Sequence, residues 1–205
     1  MSRLHPEWVM PARTVLLVID IQADFASPEG AMARSGADMT AIFPAVERAG
    51  ALVEVARGRG VLRVFTRAVT APHLETDVER EAKGRRGDDG PGICREGTPG
   101  ADFIEPRPHA DEAVVTKHRY SVFAGTGLAE KLKARGIDTL VLCGLTTECC
   151  IQSSAWDAFE RDFHVVIATD AVAAYQPQLH GAALEALELN GAILADSAAL
   201  LAIWK

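Results

Sequence analysis

The sequence predicts an α/β fold in which a mostly parallel sheet is covered by helices on both faces. Six short apolar runs punctuate the chain, most of them separated by segments with helical apolar spacing. Such runs, hydrophobic along their length, are what strands buried on both faces look like. Functional groups in such sheets gather beyond the carboxyl ends of the strands.

The first run, Arg13–Asp20, closes on a carboxylate and reads as a buried strand. Ala41–Arg59 carries Val46, Ala49, Leu52, Val53 and Ala56 at helical spacing and stops at Gly60. Val61–Thr66 is the second strand and Ala113–Thr116 a short third. A helix over Leu128–Arg135 stops at Gly136 and leads into the fourth strand, Thr139–Cys143. Cys149–Arg161 reads as a helix, His164–Ala168 as the fifth strand and Leu179–Leu189 as a helix ending at Asn190-Gly191. Ala192–Leu194 is the sixth strand, and Ala198–Trp204 a last short helix. There is no internal repeat, so residues 1–205 read as a single domain.

The chain has 205 residues, 48% hydrophobic and 24% charged, enough for one core of ordinary size. Its net charge of −7 offers no basic field for nucleic acid or for an anionic membrane. No apolar run approaches the roughly 20 residues of a membrane helix. The polar stretch Met1–Arg13 lacks the apolar core of a signal peptide, so the expected compartment is the cytoplasm. Four cysteines do not make a disulfide scaffold, and the adjacent Cys149 and Cys150 read as free thiols.

One segment breaks the alternation. Residues 67–112 show little periodicity and hold Arg85-Arg86, Asp88-Asp89 and several Gly and Pro. So long a loop is either a solvated insert or, since it begins at a strand's carboxyl end, a wall of the site. Arg85, Arg86, Arg95 and Arg107 there would meet a substrate carboxylate or only water, and Tyr175 and Gln176 follow the fifth strand.

Chemistry concentrates at three strand ends. Asp20 ends the first strand, Lys117 the third, and Cys143-Gly144-Leu145-Thr146-Thr147-Glu148-Cys149-Cys150-Ile151 runs from the fourth strand through a tight turn into a helix. Alone, Asp20 reads equally as a cap, Lys117 as surface charge, and either cysteine as an inert buried thiol. Together they complement one another. A thiol in a first helical turn meets unpaired N–H groups and the positive end of the dipole, both favouring thiolate. Those N–H groups also suit an oxyanion. Asp20 can take the thiol proton and return it to a leaving nitrogen, while Lys117 supplies positive charge.

On these residues the sequence resembles the isochorismatase-like cysteine hydrolases, over roughly residues 13 to 198. The carrying motifs are Asp20-Ile21-Gln22-Ala23-Asp24-Phe25, Lys117 with Tyr120-Ser121-Val122-Phe123, and Gly144 to Ile151. The resemblance implies a three-layer αβα fold with a six-stranded sheet and a triad of Asp20, Lys117 and Cys150. It assigns the nucleophile to Cys150 over Cys149. It further implies a cis peptide between Leu145 and Thr146, an oxyanion site at the Thr146 and Cys150 N–H groups, and a pocket lined by Phe25, Tyr120 and Phe123. The expected activity is cofactor-free cleavage of a C–N bond in a small amide, carbamoyl or ureido substrate through a thioester, as in members of the biuret hydrolase and N-carbamoylsarcosine amidase type. A homo-oligomer, dimer or tetramer, is implied, and the apolar tail Leu200–Trp204 would suit its interface.

Two departures narrow the reading. Metal-dependent nicotinamidases of this superfamily carry an Asp-x-His and a further His after the second strand. Here Thr66 to His73 offers His73 alone, and the six histidines share no ligand spacing, so no metal is expected. True isochorismatases need no cysteine nucleophile. A nicotinamidase or an inactive binding member of the same fold are the alternatives. A nucleotide-binding oxidoreductase is disfavoured, because no Gly-x-Gly-x-x-Gly follows Asp20.

Overall fold

The computed structural model describes residues 4–87, 90 and 92–205; the Asp88-Asp89 pair lies outside the described residues. Six parallel strands form one sheet in the order β3-β2-β1-β4-β5-β6. They are β1 (Thr14–Ile19), β2 (Leu62–Ala68), β3 (Ala113–Lys117), β4 (Thr139–Leu145), β5 (His164–Ala173) and β6 (Ile193–Ala195). Every residue of β1 and β4 is buried, which is why neither strand alternates in sequence.

Alternate side chains of each strand go to opposite layers. Val15, Leu17 and Ile19 pack with Leu132, Ala155 and Leu187, from α5 (Leu128–Ala134), α6 (Gln152–Phe159) and α7 (Pro177–Leu189). Leu16 and Val18 pack with Leu52, Val53, Leu200 and Trp204, from α3 (Ile42–Gly58) and α8 (Ser197–Trp204). The architecture is three-layered, αβα. No described helix is long and apolar enough to cross a membrane.

Several expectations are corrected. The tail is only partly an open apolar surface: Leu200 and Trp204 are buried while Leu201, Ala202 and Ile203 are half-buried or exposed, Trp204 Nε1 donates to Val9 O (2.8 Å), and Asp196 caps α8 by accepting from Ala199 N. Strand β5 runs past Ala168 to Ala173. A register shift between Leu142 and Gly144 in β4 lets the pairing resume at Gly144–Val172. The polar Thr169-Asp170 pair hides this continuation in sequence. Asp170 accepts from both the N–H and the hydroxyl of Ser197 (2.7 Å each), anchoring the start of α8.

The segment 67–112 is more ordered than its composition suggests. It contains α4 (Asp77–Arg86), opened by a reciprocal capping box between Thr76 and Glu79 and closed by left-handed Gly87. A short 3-10 turn spans Pro99–Ala101, and Thr70 bridges to Arg95. Two further helices, α1 (Ala23–Ala26) and α2 (Ala31–Arg34), follow β1 and are too short to show periodicity.

Candidate active site

Asp20, Lys117 and Cys150 meet at the carboxyl edge of the sheet. Asp20 follows the last residue of β1 with φ of 52°, and its N–H donates to Thr66 O at 3.2 Å. Lys117 ends the edge strand β3 opposite Ala68, while Ile19, the residue before Asp20, pairs with Thr66. The lysine stem therefore crosses the end of β2, where Thr66 and Ala68 leave room for it. Its Nζ lies 2.7 Å from Asp20 Oδ2, 3.3 Å from Cys150 Sγ and 3.0 Å from Arg119 O, which it serves as donor. Both side chains of the ion pair are fully buried. Asp20 Oδ1 accepts from Thr66 Oγ1 at 2.7 Å, whereas among the described residues Oδ2 has the ammonium alone.

Cys150 sits in a π turn, Thr147–Ile151, that precedes α6; the expected continuous helix from Cys149 to Arg161 is thus divided and ends at Phe159. The turn sends the Cys149 and Ile151 N–H groups to Thr146 O (3.2 and 3.1 Å) and leaves the intervening Cys150 N–H off that acceptor. The Leu145–Thr146 peptide is cis. Gly144 lies where β4 grazes β1: a Cβ there would stand 2.0 Å from Ile19 O, and its φ is +111°.

The electrostatics differ from the sequence reading in one respect. A hydrogen bond with Cys149, burial and the Asp20 carboxylate all push the Cys150 thiol well above its ordinary value, and Lys117 opposes them. That direction is opposite to the one the helix end alone would favour. Burial would lower the Lys117 ammonium, but Asp20 and Cys150 outweigh it and the net shift is upward, so the lysine keeps its charge.

The three expected pocket residues occupy different places. Tyr120 is 62% exposed, and the charge of Cys149 together with partial burial pushes its hydroxyl upward. Phe25 is half-buried beside Ala26, Ile42 and Leu145. Phe123 lies in the core beneath the site, its ring 6.0 Å from that of Phe163, so its contacts are with protein. Arg85, Arg86, Arg95 and Arg107 are all exposed.

Sequence reasoning missed the residues that fasten the site together. Gln22 donates to Ala68 O and Ala101 O and accepts from Ala68 N, while Asp24 accepts from Ala31 N and Cys94 N. They lock the 67–112 segment to the end of β1. A buried glutamine beside a strand-end aspartate was the available signal. Tyr175 donates to Phe25 O at 2.8 Å, and burial pushes its hydroxyl upward. Glu148 accepts from Thr146 Oγ1 at 3.1 Å through Oε1, while its Oε2 is buried with no hydrogen-bond partner among the described residues. Among the described residues no group of three or more His, Cys, Asp or Glu could hold a metal ion. His73 is exposed beyond β2.

The fold and the thiol–carboxylate–ammonium centre define an α/β protein of the isochorismatase type. The chain belongs to the isochorismatase family: the Isochorismatase domain model matches residues 14–199. It is 29% identical to ureidoacrylate amidohydrolase RutB of Methylobacterium radiotolerans, over 97% of this chain and 82% of that one. It is 34% identical to a probable inactive nicotinamidase of Arabidopsis thaliana, over 82% and 85%. The crystal structure of N-carbamoylsarcosine amidase from Thermoplasma acidophilum superposes with a TM-score of 0.72 at 29% identity, covering 90% of this chain and 96% of that one.

Proposed function

We propose that this chain, as a single domain, is a cofactor-free cysteine amidohydrolase cleaving a C–N bond of a small amide, carbamoyl or ureido substrate. The observation that carries the reading is the buried Lys117 ammonium held between Asp20 Oδ2 and Cys150 Sγ. It keeps a base and a nucleophile side by side without water between them and the lysine.

In this reading Asp20 takes the Cys150 proton as Sγ attacks the substrate carbonyl carbon. The oxyanion is received by the Thr146 and Cys150 N–H groups. Asp20 returns the proton to the nitrogen, which leaves as ammonia or an amine, and a thioester remains on Cys150. A water then gives its proton to Asp20, adds to the thioester and releases the acid, and the thiol recovers its proton. Lys117 stays charged throughout, consistent with its upward shift. Tyr120 and Phe25 are the pocket residues of this reading; Phe123 supports them from below.

One relative is described as inactive, so retention of catalysis is the point to test. The three residues of the centre are complete here, and that supports turnover. A panel of small amides and ureido compounds, read by ammonia release, tests it. Release that disappears in Cys150→Ala supports the proposal; no release from any member, with Cys150 intact, sinks it. A cytoplasmic dimer or tetramer belongs to the same reading, supported by exposed Val114 on the β3 edge and Tyr120. Sedimentation of the purified chain as a monomer would remove that part.

A further inference from the structure

Thr66 lies near the end of β2. Val64 packs in the layer of Cys150 and Phe65 in the opposite one, so alternation returns Thr66 to the side of Cys150. The residue is fully buried, where a hydroxyl is disfavoured unless it is bonded. Its hydroxyl donates to Asp20 Oδ1 at 2.7 Å, and its carbonyl accepts the Asp20 N–H at 3.2 Å. One residue thus grips both the backbone and the side chain of Asp20. The mount itself is fastened on both sides. Thr66 pairs with Ile19 just before Asp20, and just after it Gln22 Oε1 accepts from Ala68 N (2.8 Å) while Gln22 Nε2 donates to Ala68 O (2.9 Å).

The donors of Lys117 are spent elsewhere. An ammonium has three N–H groups, and Asp20 Oδ2, Cys150 Sγ and Arg119 O lie within reach of them at 2.7, 3.3 and 3.0 Å. None is left for Oδ1. A carboxylate held by the lysine alone could turn about its Cβ–Cγ bond and exchange its two oxygens. The Thr66 hydroxyl on Oδ1 fixes that plane and leaves Oδ2 as the oxygen that shares the ammonium with the thiol. Holding a reacting group in its productive orientation lowers a barrier, and a supporting partner bonded to a rigid element does this best.

We infer that Thr66 is a positioning residue for this reaction, whose hydroxyl holds Asp20 Oδ1 so that Oδ2 is the atom that takes the Cys150 proton and returns it to the leaving nitrogen. The inference rests on the amidohydrolase reading and adds to it the oxygen that carries the proton and the residue that selects that oxygen.

Two substitutions separate the hydroxyl from the packing. Thr66→Val keeps the shape of the side chain and removes the hydroxyl, whereas Thr66→Ser keeps the hydroxyl. In Thr66→Val, kcat for ammonia release should fall about tenfold or more while KM stays within about threefold, since a hydrogen bond to a charged group is lost away from the substrate. In Thr66→Ser, kcat should return to within about threefold of the wild type. A purely structural role would lower the melting temperature without that split or that rescue. A wild-type kcat in Thr66→Val, a loss confined to KM, or an equal loss in Thr66→Ser overturns the inference. Should Thr66→Val fail to fold, Thr66→Ala against Thr66→Ser, which differ by the hydroxyl alone, decides. A second readout does not need turnover. In a Cys149→Ala background, alkylation of Cys150 by iodoacetamide at pH 7 should slow about tenfold in Thr66→Val and recover in Thr66→Ser. Where the wild type releases no ammonia this contrast decides: its presence sinks the amidohydrolase reading and keeps the role of Thr66, and its absence overturns both. Turnover without the contrast in kcat overturns the inference alone.

Discussion

Two buried carboxylates in this chain, Glu112 and Asp20, are each paired with basic side chains, yet they are wired to opposite ends. Glu112, its side chain 2% exposed, receives two hydrogen bonds from Arg57, one from Arg63 and one from the His109 N–H. Every lone pair it offers toward the protein is met. Burial alone would raise its pKa, but these donors outweigh burial and bring it to about 2. Asp20 is more deeply buried but more thinly served: one hydroxyl on Oδ1 and, on Oδ2, a single lysine shared with a thiol. The full complement fixes the end of the 67–112 segment to α3 and β2. The sparse one leaves the carboxylate free for the role proposed for Asp20. Saturation makes a clamp, and a shared, incomplete set of partners makes a reactive centre.

Removing the proposed nucleophile should have the largest effect. Cys150→Ala should lose about 10⁴-fold or more in kcat with an unchanged melting curve, as loss of a covalent nucleophile does elsewhere. Asp20→Asn keeps shape but not basicity and should cost about 10⁴-fold, with Lys117→Met comparable. The double variant should be little worse than either single one. Multiplicative losses in ammonia-release kinetics would show that the pair does not act as a unit.

The clamp should fail in stability, not rate. Glu112→Gln should cost about 2 kcal/mol, or about 4–8 °C in Tm, with kcat nearly intact. The sign follows from the depressed pKa. The carboxylate stabilises the fold above its ordinary value of 4.5, and that contribution fades as pH falls toward about 2. The gap between wild-type and variant melting curves should therefore close over that window; a gap that widens on acidification would contradict the clamp.

Smaller effects sharpen the contrast within the site. Cys149→Ala should retain activity within about threefold, because it is Cys150 Sγ, and not its neighbour, that Lys117 Nζ holds. At pH 7 iodoacetamide should alkylate the more exposed Cys149 before Cys150, and mapping the labelled peptide decides it. Dialysis against EDTA should leave the rate unchanged, which a metal-restored activity would refute.

What the sequence disclosed follows from burial. β1 and β4 are enclosed on both faces, so their apolar runs and closing residues mark them plainly, and Asp20, Lys117 and Cys150 could be placed at strand ends before any coordinates. Beyond Ala168 the signal fails because Asp170 spends its polarity inside the fold on Ser197. The order of the 67–112 segment was hidden for a related reason. Its anchors, Gln22 and Asp24, are polar residues distant in sequence from the backbone groups they hold. Phe123, adjacent to a motif, was expected in the pocket, and only the packing of Phe163 reveals that it belongs to the core. Thr66 gave no sign of its bond to Asp20 beyond being a hydroxyl at a strand end.

The close passage of β4 over β1 at Gly144 has a bearing on how this turn can vary. A side chain at that position would collide with the Ile19 carbonyl, directly upstream of Asp20, and would displace Asp20 and Cys150 together. In a saturation library across 144–151 selected for activity, position 144 should return glycine alone, while position 149 accepts many residues. Mutational freedom around the thiol is therefore set by backbone proximity as much as by chemistry, and one of the least substitutable residues of the stretch carries no functional group.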